Sequence, residues 1–162
     1  MEFHMLGGIP GSGKSTIAKD LPGFIVSTDS IRKFLWDDES VVKHDKLVFE
    51  IAENMMKYML SLGNDVIFDA TNLTMERRMK YIRLAKNLGA HVTVHWIDCP
   101  IADAIGRNAR RDRKVPVPVI KALYKSLQPP AISEGMDKIK IYRQDLSVVE
   151  ETTASQTDLD SH

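Results

Sequence analysis

The most informative stretch of the chain is Gly8-Ile9-Pro10-Gly11-Ser12-Gly13-Lys14-Ser15. It matches in full the pattern G-x-x-x-x-G-K-[ST], in which the backbone N–H groups of a glycine-rich turn surround phosphate oxygens. An apolar run from Phe3 to Gly7 precedes it and predicts a buried strand, and the residues from Lys14 to Pro22 favour a helix. A helix that begins at such a turn adds partial positive charge where a phosphate would bind.

The motif predicts a nucleoside triphosphate and Mg²⁺ as ligands. We expect Lys14 to reach the β- and γ-phosphates and the Ser15 hydroxyl to ligate Mg²⁺. ATP is the default nucleotide, because the sequence has no Asn-Lys-x-Asp guanine motif. A glycine-rich turn that binds nothing is the alternative, and the complete motif in its correct context disfavours it. The other expected nucleotide-binding residues of the loop are Gly8, Pro10, Gly11, Ser12, Gly13 and Thr16.

Size and composition predict one ordinary globular domain. The chain has 162 residues, of which 43% are hydrophobic and 27% are charged. A single cysteine excludes an internal disulfide framework and a cysteine-based zinc cluster. No apolar run approaches membrane-spanning length, and the first residues lack a basic leader, so we expect a cytoplasmic protein that does not enter a membrane.

Strand-like and helix-like segments alternate along the chain. This alternation predicts an α/β fold with a mostly parallel sheet covered by helices on both faces. The expected strands are 3–7, 24–26, 66–68, 91–97 and 139–142, and the expected helices are 14–21, 30–36, 47–62 and 75–88, with two more that begin at Pro100 and Pro118.

Charge is unevenly distributed in a chain whose formal net charge is zero. Residues 144–162 contain five acidic and no basic residues, so residues 1–143 carry +5. The end of the chain also lacks aromatic residues, which is typical of disorder. We therefore expect a phosphate-loop domain at 1–149 and a disordered acidic tail at 150–162. A neutral total argues against binding nucleic acid by bulk charge, but uneven distribution weakens that argument.

Two acidic residues follow predicted strands, where open parallel sheets bind their ligands. Asp29 lies three residues before Arg32, so the two share one face of a short helix. Asp29 either accepts a proton from an attacking hydroxyl or caps that helix, and the spacing leaves both interpretations open. Arg32 is suited to a bidentate contact with a phosphate of the acceptor. Asp69 ends the third strand, and we expect it near the metal or the acceptor.

A basic cluster follows the helix that begins at Pro100. Arg107, Arg110 and Arg111 are spaced so that a helix would project all three to one side. An arginine there would stabilise the negative charge of a phosphoryl transition state. A solvated basic surface is the competing interpretation, and spacing alone slightly favours it.

Four motifs in order resemble the 5′-hydroxyl polynucleotide kinase domain of bacteriophage end-healing enzymes. They are the phosphate loop from Gly8, Asp29-x-x-Arg32, Thr71-Asn72-Leu73-x-x-Glu76-Arg77-Arg78 and Arg107-Asn108-x-x-Arg111, with further similarity to about Leu127. The resemblance implies an adenylate-kinase-like P-loop NTPase fold of three layers with a helical lid. It also implies transfer of the ATP γ-phosphate to the 5′-hydroxyl end of RNA or DNA.

The resemblance implies roles for individual residues as well. Lys14, Asp29 as general base and Arg111 on the γ-phosphate are the expected catalytic residues, and Arg107 joins Arg111 on the nucleotide. Ser15 and Asp69 are the expected metal residues. The expected acceptor-binding residues are Asp29, Arg32, which would contact the 3′-phosphate, and Asp69, Thr71, Asn72 and Arg77.

This chain departs from the phage pattern in three ways. It has no Asp-x-Asp phosphatase motif after the kinase region, its segment between Arg32 and Val66 is shorter, and its acid is two residues before Thr71 rather than directly before it. The last two differences lie where an acceptor would bind. A kinase for a small molecule such as a nucleoside or sugar is therefore the second hypothesis, and a nucleotide-binding switch without phosphotransfer is the third.

Overall fold

A computed structural model describes residues 1–112 and 114–161. Six strands form one sheet among these residues, in the order β2-β3-β1-β4-β5-β6. Neighbours from β2 to β5 are parallel, whereas β6 is antiparallel to β5. The strands are β1 Glu2–Gly7, β2 Phe24–Ser27, β3 Val66–Asp69, β4 His91–Asp98, β5 Lys138–Arg143 and β6 Val148–Thr153.

Helices make the crossovers that parallel neighbours require. They are α1 Lys14–Asp20, α2 Thr28–Trp36, α3 Asp45–Ser61, α4 Met75–Asn87, α5 Ile101–Ala109, α6 Val117–Ser126 and α7 Gln156–Asp160, with a 3₁₀ turn at Ile132–Glu134. Their sequences explain two of their starting points. The Ser27 hydroxyl accepts a hydrogen bond from the Ser30 N–H at the start of α2, and Thr74 does the same for Arg77 at the start of α4.

The sheet is packed on both faces. Phe3 and Met5 of β1 belong to the cluster that buries α3 and α4, and Leu6 of the same strand belongs to the cluster that buries α1, α5 and α6. Alternation along a strand places such residues on opposite faces. The predicted three-layer P-loop fold with a mostly parallel sheet is confirmed.

The end of the chain differs from the expected disordered tail. Residues 150–153 belong to β6 and residues 156–160 form α7, and Lys138 of β5 pairs with Glu151 of β6 at 2.9 Å. Composition suggested disorder because residues 150–162 contain no aromatic residue and many Ser, Thr and Asp residues. The order of β6 comes instead from backbone pairing with β5 and from opposite charges across the two strands. The final residue, His162, lies outside the described residues.

The basic cluster also differs from its prediction. Helix α5 ends at Ala109, and Arg110 is its C-terminal cap. The three arginines therefore do not form one helical row. Arg113, a further arginine two positions after Arg111, lies outside the described residues. Within the part of the chain that the structure describes, no helix has both the length and the apolar character needed to cross a bilayer.

Candidate active site

The phosphate loop joins β1 to α1 and depends on its glycines. Gly11 and Gly13 have φ angles of 82° and 106°, a region that side chains with a Cβ rarely adopt. A Cβ on Gly11 would lie 2.7 Å from the Ala104 carbonyl oxygen, and one on Gly13 would lie 2.9 Å from Leu146. The loop therefore lies against α5 and the β5–β6 turn, with no room for larger residues.

Lys14 begins α1 and extends its ammonium group over the loop. Its Nζ donates a hydrogen bond to the Ile9 carbonyl at 3.0 Å. Burial lowers the Lys14 pKa to about 8, and the negative charges of Asp69 and Asp29 only partly oppose that shift. The two carboxylates therefore do not fully compensate for the burial of the Lys14 ammonium. A phosphate bound in the loop would add negative charge and favour the charged form of Lys14.

Ser15 and Asp69 lie together at the C-terminal end of β3. The Ser15 hydroxyl donates to Asp69 Oδ2 at 3.0 Å. Burial raises the Asp69 pKa, while Lys14 and the Ser15 hydrogen bond oppose the shift. A hydroxyl and a carboxylate are the hard oxygen ligands that Mg²⁺ prefers. These two residues fit a magnesium ion, and they are the ones that would hold it.

Asp29 and Arg32 form part of a charged triad with Asp45. Arg32 Nη1 donates to Asp29 Oδ1 at 2.8 Å, and its Nε and Nη2 donate to the two Asp45 oxygens at 2.9 Å each. Burial disfavours the charged guanidinium, but the hydrogen bonds and charges of Asp45 and Asp29 outweigh it and raise the Arg32 pKa. Arg32 is thus engaged by two carboxylates of the protein itself.

Arg107 and Arg111 approach the loop from α5 and the residues after it. Arg107 donates to the Ser12 carbonyl at 3.0 Å and also to the Gln144 carbonyl, so it braces the loop against the turn after β5. Arg111 lines the cleft, as does Lys114. Arg110 is exposed and is not among the described residues that line it.

These residues surround one cleft of about 980 Å³. Two more of the expected acceptor residues, Thr71 and Arg77, line it, and Arg77 lies 4.2 Å from the centre of the Phe49 ring. An apolar wall faces the charged groups and includes Val115, Val119 and Leu123. The predicted residues on its lining are Pro10, Gly11, Gly13, Lys14, Ser15, Thr16, Asp29, Arg32, Asp69, Thr71, Arg77, Arg107 and Arg111.

Three predicted residues lie behind the wall of the cleft. Gly8 and Ser12 are buried residues of the loop itself, and a Cβ on Gly8 would approach the Ser12 hydroxyl to 2.8 Å. Asn72 is fully buried, and its side chain donates to the Leu6 carbonyl at 2.6 Å. Their contacts shape the loop and the turn after β3, and none of the three is among the described residues that line the cleft.

Two acidic residues of this region were missed by the sequence analysis. Asp45 lies 13 positions after Arg32, beyond a turn whose path no motif indicates. Glu134 pairs with Arg78, a buried arginine that also donates to the Asn72 carbonyl at 3.0 Å. The Thr71-to-Arg78 motif contains one partner of that pair, but the other is 56 residues away along the chain.

The mostly parallel sheet with a phosphate loop after its first strand is the P-loop kinase fold. Residues 3–130 match the AAA domain family AAA_33, and the chain belongs to that family. It is 25% identical over 144 residues to the L-seryl-tRNA(Sec) kinase of Methanococcus maripaludis. That match covers 82% of this chain and 55% of the other protein, so the chain spans about half the length of this curated relative.

Solved structures of several kinds share the fold. One is a chain of the Pnkp1/Rnl/Hen1 RNA repair complex, with a TM-score of 0.69, 22% identity, and coverage of 78% of this chain and 44% of that chain. Another belongs to the PezAT toxin-antitoxin system of Streptococcus pneumoniae, with a TM-score of 0.64, 18% identity, and coverage of 98% of this chain and 75% of that chain. A third is a gluconokinase from Sinorhizobium meliloti 1021, with a TM-score of 0.58, 17% identity, and coverage of 88% of this chain and 82% of that chain. A fold shared by such different proteins does not select an acceptor.

Proposed function

We propose that the chain transfers the γ-phosphate of ATP to the 5′-hydroxyl end of an RNA or DNA strand, with Asp29 as the general base. The observation that carries the proposal is the position of Asp29 in the same cleft as Lys14 and Asp69. Asp29 follows β2 and Asp69 ends β3, and these strands are parallel neighbours with Ser27 opposite Asp69. A base beside the phosphate loop is what a kinase needs and a binding switch does not.

The proposed reaction is an in-line displacement. Asp29 accepts the proton of the acceptor hydroxyl while that oxygen forms a bond to the γ-phosphorus, and the bond from the γ-phosphorus to the bridging oxygen breaks to release ADP. Lys14 and Arg111 offset the negative charge that develops on the transferred group. Bound Mg²⁺, held by Ser15 and Asp69, would supply further charge neutralisation on the phosphate oxygens.

Several features support a nucleic-acid end as the acceptor. The four sequence motifs follow the polynucleotide kinase order, and residues 1–143 carry a net charge of +5. The curated relative is named for a tRNA substrate, and one structural neighbour belongs to an RNA repair complex. A cleft that holds one strand end needs a few phosphate contacts rather than a large basic surface.

One observation favours the second candidate, a kinase for a small molecule. Asp45 and Asp29 together take three of the N–H donors of Arg32, the residue expected to contact a phosphate of the acceptor. An arginine with fewer free donors is a weaker phosphate ligand. The apolar wall at Val119 and Leu123 would suit an uncharged acceptor equally well.

A panel of acceptors tests the proposal. The protein is incubated with γ-labelled ATP, Mg²⁺ and, separately, single-stranded RNA, single-stranded DNA, duplex ends, 3′-mononucleotides and sugars. We expect label on 5′-hydroxyl strands and none on matched strands that already carry a 5′-phosphate. Labelling of mononucleotides or sugars alone would replace the proposal with the second candidate, and ATP binding without any transfer would refute both.

A further inference from the structure

The Arg32 guanidinium is held on two sides in the cleft. Its side chain is only 10% exposed, and three of its five N–H donors are used by Asp29 and Asp45. Asp45 takes two of them, one on each carboxylate oxygen, which is the strongest geometry for an arginine and a carboxylate. Asp29 takes the third on one oxygen.

This asymmetry leaves Asp29 available for chemistry. Had Arg32 formed a two-point pair with Asp29, both oxygens of that carboxylate would be occupied. Because Asp45 takes the two-point pair, the structure shows a single Arg32 hydrogen bond to Asp29, on Oδ1, and the Asp29 side chain stays 59% exposed. The Oδ2 atom is then the one that can accept a proton from a hydroxyl in the cleft.

Asp45 is anchored independently of the other two residues. It is the first residue of α3, whereas Asp29 and Arg32 belong to α2. The connecting residues Glu39, Ser40 and Val42 line the same cleft. The ion pair of Arg32 with Asp45 therefore joins two helices across a connection whose residues line the cleft.

We propose that Asp45 is a positioning residue for phosphotransfer: it holds Arg32 in a two-point ion pair, and Arg32 in turn fixes the direction of the Asp29 carboxylate. The proposal rests on the proposed function, in which Asp29 takes the proton of the acceptor. Asp45 acts through Arg32 and does not itself touch the reacting atoms.

The first test compares Asp45→Asn with Glu50→Gln, a matched loss of one carboxylate at an exposed position of the same helix. Both are measured with the best acceptor of the panel. We expect Asp45→Asn to lower kcat about 10- to 100-fold with the KM for ATP unchanged, a smaller loss than the roughly 10²–10⁴ expected when the base itself is removed. Glu50→Gln should retain the kcat of the parent protein. An unchanged kcat in Asp45→Asn overturns the proposal.

A double-variant comparison separates positioning from simple loss of structure. If Asp45 acts through Arg32, adding Asp45→Asn to Arg32→Gln should lower kcat no further, because the group that Asp45 holds is already gone. Independent, multiplicative losses overturn the proposal.

The Arg32 Nε–H signal in nitrogen-15 NMR spectra distinguishes this proposal from the proposed function. It should be protected from exchange in the parent protein and in Glu50→Gln, and lost in Asp45→Asn. A protected signal in a protein that transfers phosphate to no acceptor would show that the Arg32–Asp45 ion pair exists but that the proposed phosphotransfer does not. That result would overturn the positioning role of Asp45 together with the proposed function.

Discussion

At the residue scale, the site combines a lysine and an aspartate whose pKa values burial shifts in opposite directions. Burial lowers the pKa of Lys14 and raises that of Asp69, so each group is less stable in its charged form than in water. Ligand charges would relieve both, since a phosphate favours the ammonium and a cation favours the carboxylate. The free site is therefore incomplete without its ligands.

The Lys14 shift predicts how ATP binding depends on pH. Below pH 8 the ammonium is charged and the Kd for ATP should be nearly constant. As pH rises through about 8 the free protein loses this proton, and the Kd should rise by up to about tenfold per pH unit. Calorimetric titrations between pH 7 and 9.5 measure this.

The matched control for that experiment is Lys14→Met, which should bind ATP more weakly and show no such step. A Kd for the parent protein that stays flat to pH 9.5 would mean that Lys14 titrates near its ordinary value of 10.5, and that its burial does not shift it.

The sequence alone points to those cleft residues that belong to a motif or lie at the end of a strand. Lys14 and Ser15 follow from the phosphate-loop pattern, and Asp69 follows from its place at the end of an apolar run. Asp45 could not be predicted, because its approach to Arg32 depends on the path of the turn between α2 and α3. Asn72 shows the reverse case, since its motif suggested an acceptor contact, whereas its side chain is buried against Leu6.

At the scale of elements, one buried ion pair fixes α4 and the turn after β3. Arg78 is fully buried, and its Nε and Nη2 donate to the Glu134 oxygens at 2.7 and 3.0 Å. Its third contact, to the Asn72 carbonyl, supports a turn in which Asn72 has a φ of 45°. This turn carries Thr71 to the cleft, so Arg78 links the core to the site.

Removing one partner of that pair should be costly. Arg78→Met leaves the Glu134 carboxylate buried without its counter-charge and should lower the free energy of unfolding by about 3–5 kcal/mol. Urea denaturation measures the loss. The double variant Arg78→Met/Glu134→Leu should recover most of it, because no charge then remains buried. Equal destabilisation of the single and double variants would show that packing and not charge dominates at this position.

The arginine cluster shows where element boundaries limit prediction. The spacing of Arg107, Arg110 and Arg111 suggested one helical face, but α5 ends at Ala109. Arg107 and Arg111 still line the cleft, the first from the helix and the second from beyond its end. Tertiary packing as well as local sequence decides where a short helix ends. The prediction that all three arginines share one helical face was therefore wrong, although two of them line the cleft.

At the scale of the whole molecule, part of the acidic C-terminal segment is paired with the basic body of the chain. The acidic residues near the C-terminus do not all lie apart from the body, because Glu151 pairs with Lys138 across the edge of the sheet. The alternation of strands and helices was enough to predict the parallel sheet. The antiparallel strand β6 was missed because its exposed, polar sequence resembles a solvated tail.

Two truncations separate the role of β6 from that of the turn before it. Ending the chain after Ser147 removes β6 and α7 and should lower the free energy of unfolding by on the order of 2 kcal/mol, since several cross-strand pairs are lost. The Kd for ATP should stay within about twofold. Ending it after Arg143 also removes Gln144, whose carbonyl accepts a hydrogen bond from Arg107, and Leu146, which lies beside Gly13. This longer truncation should weaken ATP binding about tenfold or more.

Calorimetry and thermal unfolding on both truncations measure these effects. Equal ATP affinity in the two would contradict the bracing role of the turn. Equal stability of the parent protein and the Ser147 truncation would mean that β6 contributes nothing to the sheet.

The most direct test of the central claim is label transfer by Asp29→Asn, measured beside its ATP affinity. Because the amide keeps the shape of the carboxylate but cannot take the proton, the Kd for ATP should stay within about twofold of the parent value. Transfer of the γ-phosphate to the 5′-hydroxyl strand should fall by about 10²–10⁴, while the α1 control Asp20→Asn retains it. Transfer at the parental rate by Asp29→Asn would contradict the assignment of Asp29 as the base.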